Sequence, residues 1–190
     1  MNYTIGQTAL GGIIAYINGG GTSGPSGLVA TVEDISPGAS WGCQDTPIST
    51  NPAIGAGNAN TIAIMAGCNT AGIAARLCGD LTEGGFSDWY LPSEYELDAL
   101  YINKDVIGGF VVATYQDFYW SSTEYLSNTT FAWAKRFSDG NAAPGGKNET
   151  HHVRAVRSFD ETCDTRFDMH AYGDECGEDR ARRLYLLGYI

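Results

Sequence analysis

Positive charge is scarce in this chain. Lysine and arginine number 11 against 22 aspartate and glutamate residues, for a formal net charge of −11 over 190 residues. No overall positive field draws in nucleic acid or an anionic membrane surface, so neither is expected as a partner. Charge of either sign is thin at 17%, whereas 43% of residues are hydrophobic. That balance excludes a disordered chain and allows a real core. No apolar run is long enough to span a bilayer. Met1-Asn2-Tyr3-Thr4 has neither a basic n-region nor an apolar h-region. A signal peptide is therefore not expected, and work outside a cell would need another route, as a fragment of a longer chain or a virion part released by lysis.

Other chemistries are missing too. No Cys-x-x-Cys pair occurs, which removes zinc-site and thioredoxin-type readings. The five cysteines, at 43, 68, 78, 163 and 176, cannot all pair within one chain. Cys163 with Cys176, or Cys68 with Cys78 around a helix, are conceivable pairs, and buried or free thiols are the plainer expectation. The glycine run from Asn18 to Pro25 is followed by no Lys-Ser/Thr and opens no helix, so it is a turn and not a phosphate cradle. No Gly-x-Ser-x-Gly elbow and no tandem repeat at a solenoid period is present.

Apolar runs supply the framework. Gly11 to Ile17 and Gly27 to Val32 have buried-strand chemistry and read as a hairpin. Ser36 to Ala56 reads as a loop with Trp41 as its large anchor. A helix capped by Asn58 or Asn60 is expected to run to about Leu81, weakened by Gly67 and Gly72, with a possible break near Cys68-Asn69-Thr70. Ser93-x-x-Glu96 is a capping box for a second helix over about Glu94 to Lys104. In Asp88-Trp89-Tyr90-Leu91-Pro92-Ser93 the expectation is core anchoring by Trp89 and Leu91, not paired carboxylates for acid–base work. From Val111 to Phe159 the chemistry is β. From Asp160 to Ile190 it turns acidic and arginine-bearing with an apolar end, a segment that either packs on a neighbour or is a loose tail. His170 lies there and is expected in solvent.

Tyr119 to Phe159 organises the rest. Strand-like runs, Phe118 to Trp120, Phe131 to Phe137 and His152 to Phe159, alternate with polar runs of Asn, Ser, Thr, Gly and Pro. A rigid aromatic frame holding polar loops is how recognition surfaces are built. Adjacent residues on a strand face opposite ways, so His151 and His152 do not share a metal, although one of them suits ligand contact. Glu124 reads either as buried and paired with Arg154 or Arg157, or as a solvated charge. Ser121, Ser122 and Thr123 suit backbone bonds at a strand end. The contact residues this predicts are Tyr125, Leu126, Asn128, Thr129, Thr130, Phe131, Lys135, Arg136, Asn141, Ala142, Ala143, Asn148, Thr150, His151 and His152, with Trp133 beside them. No catalytic residue, metal or cofactor is expected.

Five segments together resemble the C-terminal domain of the Legionella collagen-like adhesin family, over roughly Thr4 to Phe159. They are Asp88 to Ser93, Ile107-Gly108-Gly109-Phe110, Tyr119 to Glu124, Ala132-Trp133, and Val153 to Phe159. The resemblance implies an α+β, C-type-lectin-like fold, with two helices packed against a small antiparallel sheet with long loops. It implies residues 1–159 as a ligand-binding domain, with 160–190 appended. Such domains occur at the tips of bacterial adhesins and phage tail fibres, and some resemble the variable proteins of diversity-generating retroelements. The positions open to variation would then be Leu126 to Thr130, Lys135-Arg136, Asn141 to Gly145 and Asn148 to His152. The expected function is non-enzymatic binding of a host cell-surface receptor, protein or glycan, from a virion or a cell surface, by a homo-oligomer, a trimer on the family pattern. Basic-face binding of sulfated glycans runs against the charge of −11. The lectin calcium motifs Glu-Pro-Asn and Trp-Asn-Asp are absent. Leu91-Pro92-Ser93 also resembles formylglycine-generating enzymes, without their cysteine pair, so an oxidase of that type is the alternative, with a virion structural or decoration subunit as the third.

Overall fold

The structure, a computed structural model, describes residues 3–19 and 26–160. The tip of the first hairpin, the Cys163–Cys176 pairing, His170 and the segment from 161 to 190 lie outside the described residues.

Thirteen elements are described. They are β1 (Thr8–Ala9), β2 (Gly12–Asn18), β3 (Ser26–Ala30), β4 (Ser36–Ser40), α1 (Gly57–Gly67), α2 (Ala74–Gly79), α3 (Glu94–Ile102), α4 (Lys104–Ile107), β5 (Phe118–Glu124), β6 (Phe131–Arg136), β7 (Ala142–Gly146), β8 (Thr150–Val153) and β9 (Val156–Asp160). The fold is mixed α+β. In place of two helices on one antiparallel sheet, four helices accompany two sheets, ordered β1-β2-β3-β9 and β4-β8-β5-β6-β7. One pair, β5 with β8, is parallel.

The first sheet is buried on both faces, which is why β2 and β3 read as continuous apolar runs. Ile14 and Val29 join a core with Trp41, Ile64, Leu91 and Trp120. Ile13, Ala15 and Leu28 join a second core with Tyr90, Leu97 and Tyr119. The expected hairpin is present, and β9 adds to β3 with Phe159 opposite Gly27.

The single helix expected to Leu81 is two helices. Cys68, the residue after α1, is extended, and it forms a disulfide with Cys43 in the Trp41 loop. Arg76 of α2 closes the break by donating to the Met65 and Cys68 carbonyls at 2.8 and 2.9 Å, which satisfies the open end of α1. Cys78, the other expected partner of Cys68, is a buried free thiol. No asparagine caps α1. Ala56 stands at that position, and Asn60 is buried, bonded to the Asn51 backbone and to Ser122 Oγ. The Ser93–Glu96 capping box is formed as expected. Residues 111–117 form no strand; β5 begins at Phe118.

Glu124 is buried, but its partner is Lys147 and not Arg154 or Arg157. The Lys147 ammonium also donates to the Thr46 carbonyl at 3.0 Å and lies 4.4 Å from the Trp41 ring centre. Glu124 in turn accepts from Ile48 N at 3.0 Å. The two side chains thus hold the long connection between β4 and α1 against the second sheet. Replacing Lys147 with Met leaves a buried, unanswered carboxylate, and the expected loss is about 3–5 kcal/mol in chemical denaturation. Adding Glu124→Gln should recover part of it. The Cys43–Cys68 bond closes a separation of 25 residues. Its removal by the Cys43→Ser/Cys68→Ser double variant is expected to cost about 2–4 kcal/mol, read from the shift in denaturation midpoint.

Candidate functional site

Strand β6 alternates. Ala132 and Ala134 point into the core, and Phe131, Trp133 and Lys135 point the other way. On the inner side the Trp120 indole lies against small residues. A Cβ on Gly145 would sit 2.9 Å from that indole and 2.7 Å from His151 Nε2, so the position requires glycine. Trp120 Nε1 donates to Ala39 O at 2.8 Å, which ties the sheet to β4.

The outer side is only half covered. Helix α3 lies over Tyr119, Lys135 and Phe137. Tyr101 meets the Phe137 ring edge-on at 5.7 Å, and Lys135 Nζ lies 2.7 Å from Asp98 Oδ1. The head of α3 rests on β5 through Glu94 N to Thr123 Oγ1, at 3.0 Å. Over the rest of the face, among the described residues, Tyr125, Phe131 and Trp133 are half-buried and Ala142 and Pro144 exposed. Trp133 pairs across the strands with Pro144, Lys135 with Ala142, and Phe131 with Gly146. Tyr125 stands edge-on to Trp133 at 5.2 Å, and Leu126 beside it is 75% exposed. The run Asn141 to Gly146, expected as a loop, is therefore largely strand. It is the edge strand of its sheet, where a proline such as Pro144 is tolerated.

The expected contact residues divide between this face and the framework. Tyr125, Leu126, Phe131 and Ala142 lie on the open face with Trp133. Thr129 and Thr130 are half-buried in the adjoining turn. Asn128 builds that turn, its Oδ1 accepting from Thr130 N and Oγ1 at 3.1 and 2.8 Å. Ala143 faces the other way, opposite Ala134. Asn148 and Thr150 are exposed around the turn that follows β7, Asn148 beside Gly146 and Thr150 opening β8.

The charged members are tied internally. Lys135 is buried, bound to Asp98 and to the Gly140 carbonyl. Arg136 makes two bonds to Asp139, at 2.8 and 2.6 Å, and lies by the Tyr115 and Phe118 rings, at 5.3 and 5.2 Å. That guanidinium, helped by Asn141 N–H, holds the Asp139 carboxyl down to about 2. Asn141 is exposed and its carbonyl accepts from Arg136 N. His152 stacks near Tyr119, with Nδ1 3.1 Å from Asp34 Oδ2 and Nε2 3.6 Å from Asp117 Oδ1. Asp34 also accepts from Tyr119 OH at 2.7 Å and Arg154 Nε at 2.8 Å. Burial, then that carboxylate, pushes the Tyr119 phenol upward, although Val111 N–H pulls the other way. A Cβ on Gly109 would meet the Arg154 guanidinium at 2.8 Å, in a positive-φ turn that carries the chain over it.

Glu94 was not among the predicted contacts, yet it belongs to the face. Burial raises its carboxyl, Asp98 raises it further and Lys135 relieves it. Its spacing of four from Asp98, on one helix face, was the available signal. All seven Lys and Arg of the described residues are engaged. Arg76 binds carbonyls, Lys104 sits by Asp105 and the Tyr101 ring, Arg157 is bidentate to Asp88, and the other four are paired as above. Among the described residues no group of three His, Cys, Asp or Glu side chains is placed to hold a metal ion. A separate hollow of about 550 Å³ lies by the first sheet, lined by Tyr16, Leu28, Ile54, Arg157 and others, and none of the expected contacts borders it.

His151 packs on Trp120, ring centres 4.3 Å apart, and burial lowers its pKa, against a smaller upward pull from Glu149. The unfolded chain then takes up a proton near the usual 6.5 before the folded one does. Stability from this group is full above that pH and is lost as pH falls towards the depressed folded value. His151→Gln should flatten the decline in Tm below pH 6.5, measured by thermal unfolding at a series of pH values.

A family model described as the Lcl C-terminal domain matches residues 30–157. No curated protein matches the chain. No helix among the described residues is long and apolar enough to cross a membrane. The matched span runs from the last residue of β3 into β9 and takes in the whole second sheet with both of its faces; on that span the chain belongs to the Lcl C-terminal domain family, the adhesin family its motifs resemble.

Proposed function

We propose that this domain is a non-enzymatic recognition module, of C-type-lectin-like architecture, that engages a host cell-surface receptor through the open face of β6 and β7 and the 125–130 turn. One observation carries the reading: α3 meets this face at Lys135 and Phe137, and among the described residues Tyr125, Phe131 and Trp133 stay half-buried while Leu126, Ala142 and Pro144 are exposed, so that together they form an apolar face. Such a face, rimmed by polar groups, is what interaction surfaces look like. The pairing of early strands with the last described one, and a second sheet that carries the long connections, support the lectin-like reading. Family membership supports an adhesin-like role at a cell or virion surface, and a phage tail-fibre tip is one such setting.

The oxidase alternative needs reactive thiols. Among the described residues, Cys43 and Cys68 are joined, and Cys78 is fully buried with its pKa pushed well up. Those features favour binding over thiol chemistry. A retroelement-diversified protein would need positions that vary without cost to the fold. Leu126, Ser127, Asn141, Ala142, Asn148 and Thr150 have that exposure; Lys135, Arg136, His151 and His152 are built into the frame.

The test is capture of the full chain on arrays of cell-surface proteins and glycans. Leu126→Ser should change stability by no more than about 0.5 kcal/mol and weaken capture, and Trp133→Ala should weaken it about tenfold or more. Capture untouched by both variants, or oxidation of a cysteine-containing peptide by the chain, defeats the reading.

A further inference from the structure

The charges around the open face specify its partner more narrowly. We infer that the face takes a cationic polypeptide segment, a Lys or Arg side chain lying over Trp133 and Tyr125 with its charge answered by Glu94. This rests on the recognition reading above and names the ligand class of that same site.

The local charge is unbalanced. Glu94 and Asp98 stand one turn apart on α3, and the Lys135 ammonium is bound to Asp98 at 2.7 Å. Two carboxylates share one cation, and the Glu94 carboxyl is raised first by burial and then by Asp98. An arriving cation relieves that repulsion; an arriving sulfate or phosphate adds to it. Trp133 lies two residues from Lys135 on the same strand face, a rise of about 7 Å. Glu94 N bonds Thr123 Oγ1 at 3.0 Å and Ser121 Oγ bonds the Trp133 carbonyl at 2.8 Å, so the strand contacts of Glu94 and Trp133 lie two residues apart on β5, within the reach of a Lys or Arg side chain. Tryptophan is the best aromatic acceptor for an ammonium or guanidinium group.

The rest of the surface removes the competing occupants. Every described Lys and Arg is engaged by a carboxylate, a carbonyl or a ring, so an anionic glycan meets no uncommitted cation among the described residues. A second copy of this chain brings another −11 to the same place. Long-range repulsion acts against that pairing and in favour of a basic partner.

The experiment uses the full chain and a panel of short synthetic peptides with Lys or Arg between apolar residues, each beside its Gln-substituted counterpart. Heparin and a neutral-glycan array serve as the other arms. Basic peptides should bind more tightly than their Gln counterparts, and binding should fall about tenfold between about 50 and about 300 mM salt. Glu94→Gln should weaken it about three- to fivefold. Asp80→Asn makes the same change in net charge away from this face, and should alter binding less than about twofold. Trp133→Ala should remove most of it. Equal binding of a peptide and its Gln counterpart, equal effects of Glu94→Gln and Asp80→Asn, or tighter capture on heparin or neutral glycans overturns the cationic assignment. If that glycan capture still depends on Trp133, recognition at the face survives; if no capture depends on Trp133, the recognition reading falls with it.

Discussion

The buried Lys147 ammonium fastens the long irregular connection between β4 and α1 to the second sheet. It joins Glu124, the Thr46 carbonyl and the Trp41 ring at a point no water reaches. The connection from Trp41 to Ala56 has no regular structure to satisfy its own backbone, and buried backbone groups without partners are costly. The second sheet supplies those partners. Ile48 N–H reaches Glu124, Gly42 N–H reaches the Lys147 carbonyl, and Glu124 N–H reaches Thr50 Oγ1. A hydrophobic pair of equal volume could fill the space but would leave Ile48 N–H and the Thr46 carbonyl open. Here the ion pair organises a loop, and its contribution to net stability is secondary.

Two further pairs work in the same way. Arg154 with Asp34 anchors the β3–β4 connection and lies under the turn after α4; Arg157 with Asp88 anchors the approach to α3. Among the described residues, cations are thus drawn inward, onto loops that would otherwise be loose. The surface they leave is acidic. Scarcity of positive charge and the ordering of long loops are therefore one fact seen from two sides: the same residues cannot staple the frame and also greet an anionic ligand.

Local patterns in the sequence were legible, and long-range partnerships were not. The Ser93–Glu96 box, the β2–β3 hairpin and Trp41 as an anchor each depend on a short stretch or one large side chain. Glu124 reads equally as buried or solvated, with Arg154 or Arg157 as its partner; the actual partner, Lys147, is picked out only by the register of the sheet. Cys43 and Cys68 are 25 residues apart across a loop and a helix, a separation with no signal of its own. Strand β7 was hidden by Pro144 and its glycines, which read as a loop until the strand is known to lie at an edge. Composition marked the polar runs as a contact surface without distinguishing side chains that face out from those that fasten the turn.

That distinction comes from alternation. On β6 each outward residue is separated from the next by an alanine buried in the same core as Trp120, and a Cβ on Gly145 would meet the Trp120 indole at 2.9 Å. Outward positions on β6 and β7 can change without moving the frame, except where α3 overlies them at Lys135. The turns are more constrained than their composition suggests, since Asn128 and Asp139 each hold their own loop. On the strands, freedom to alter the proposed contacts is therefore confined to every second residue of β6 and β7. The proposed recognition surface would retain its shape while its chemistry varies, and Trp133 is held outward by the same register that buries the alanines on either side.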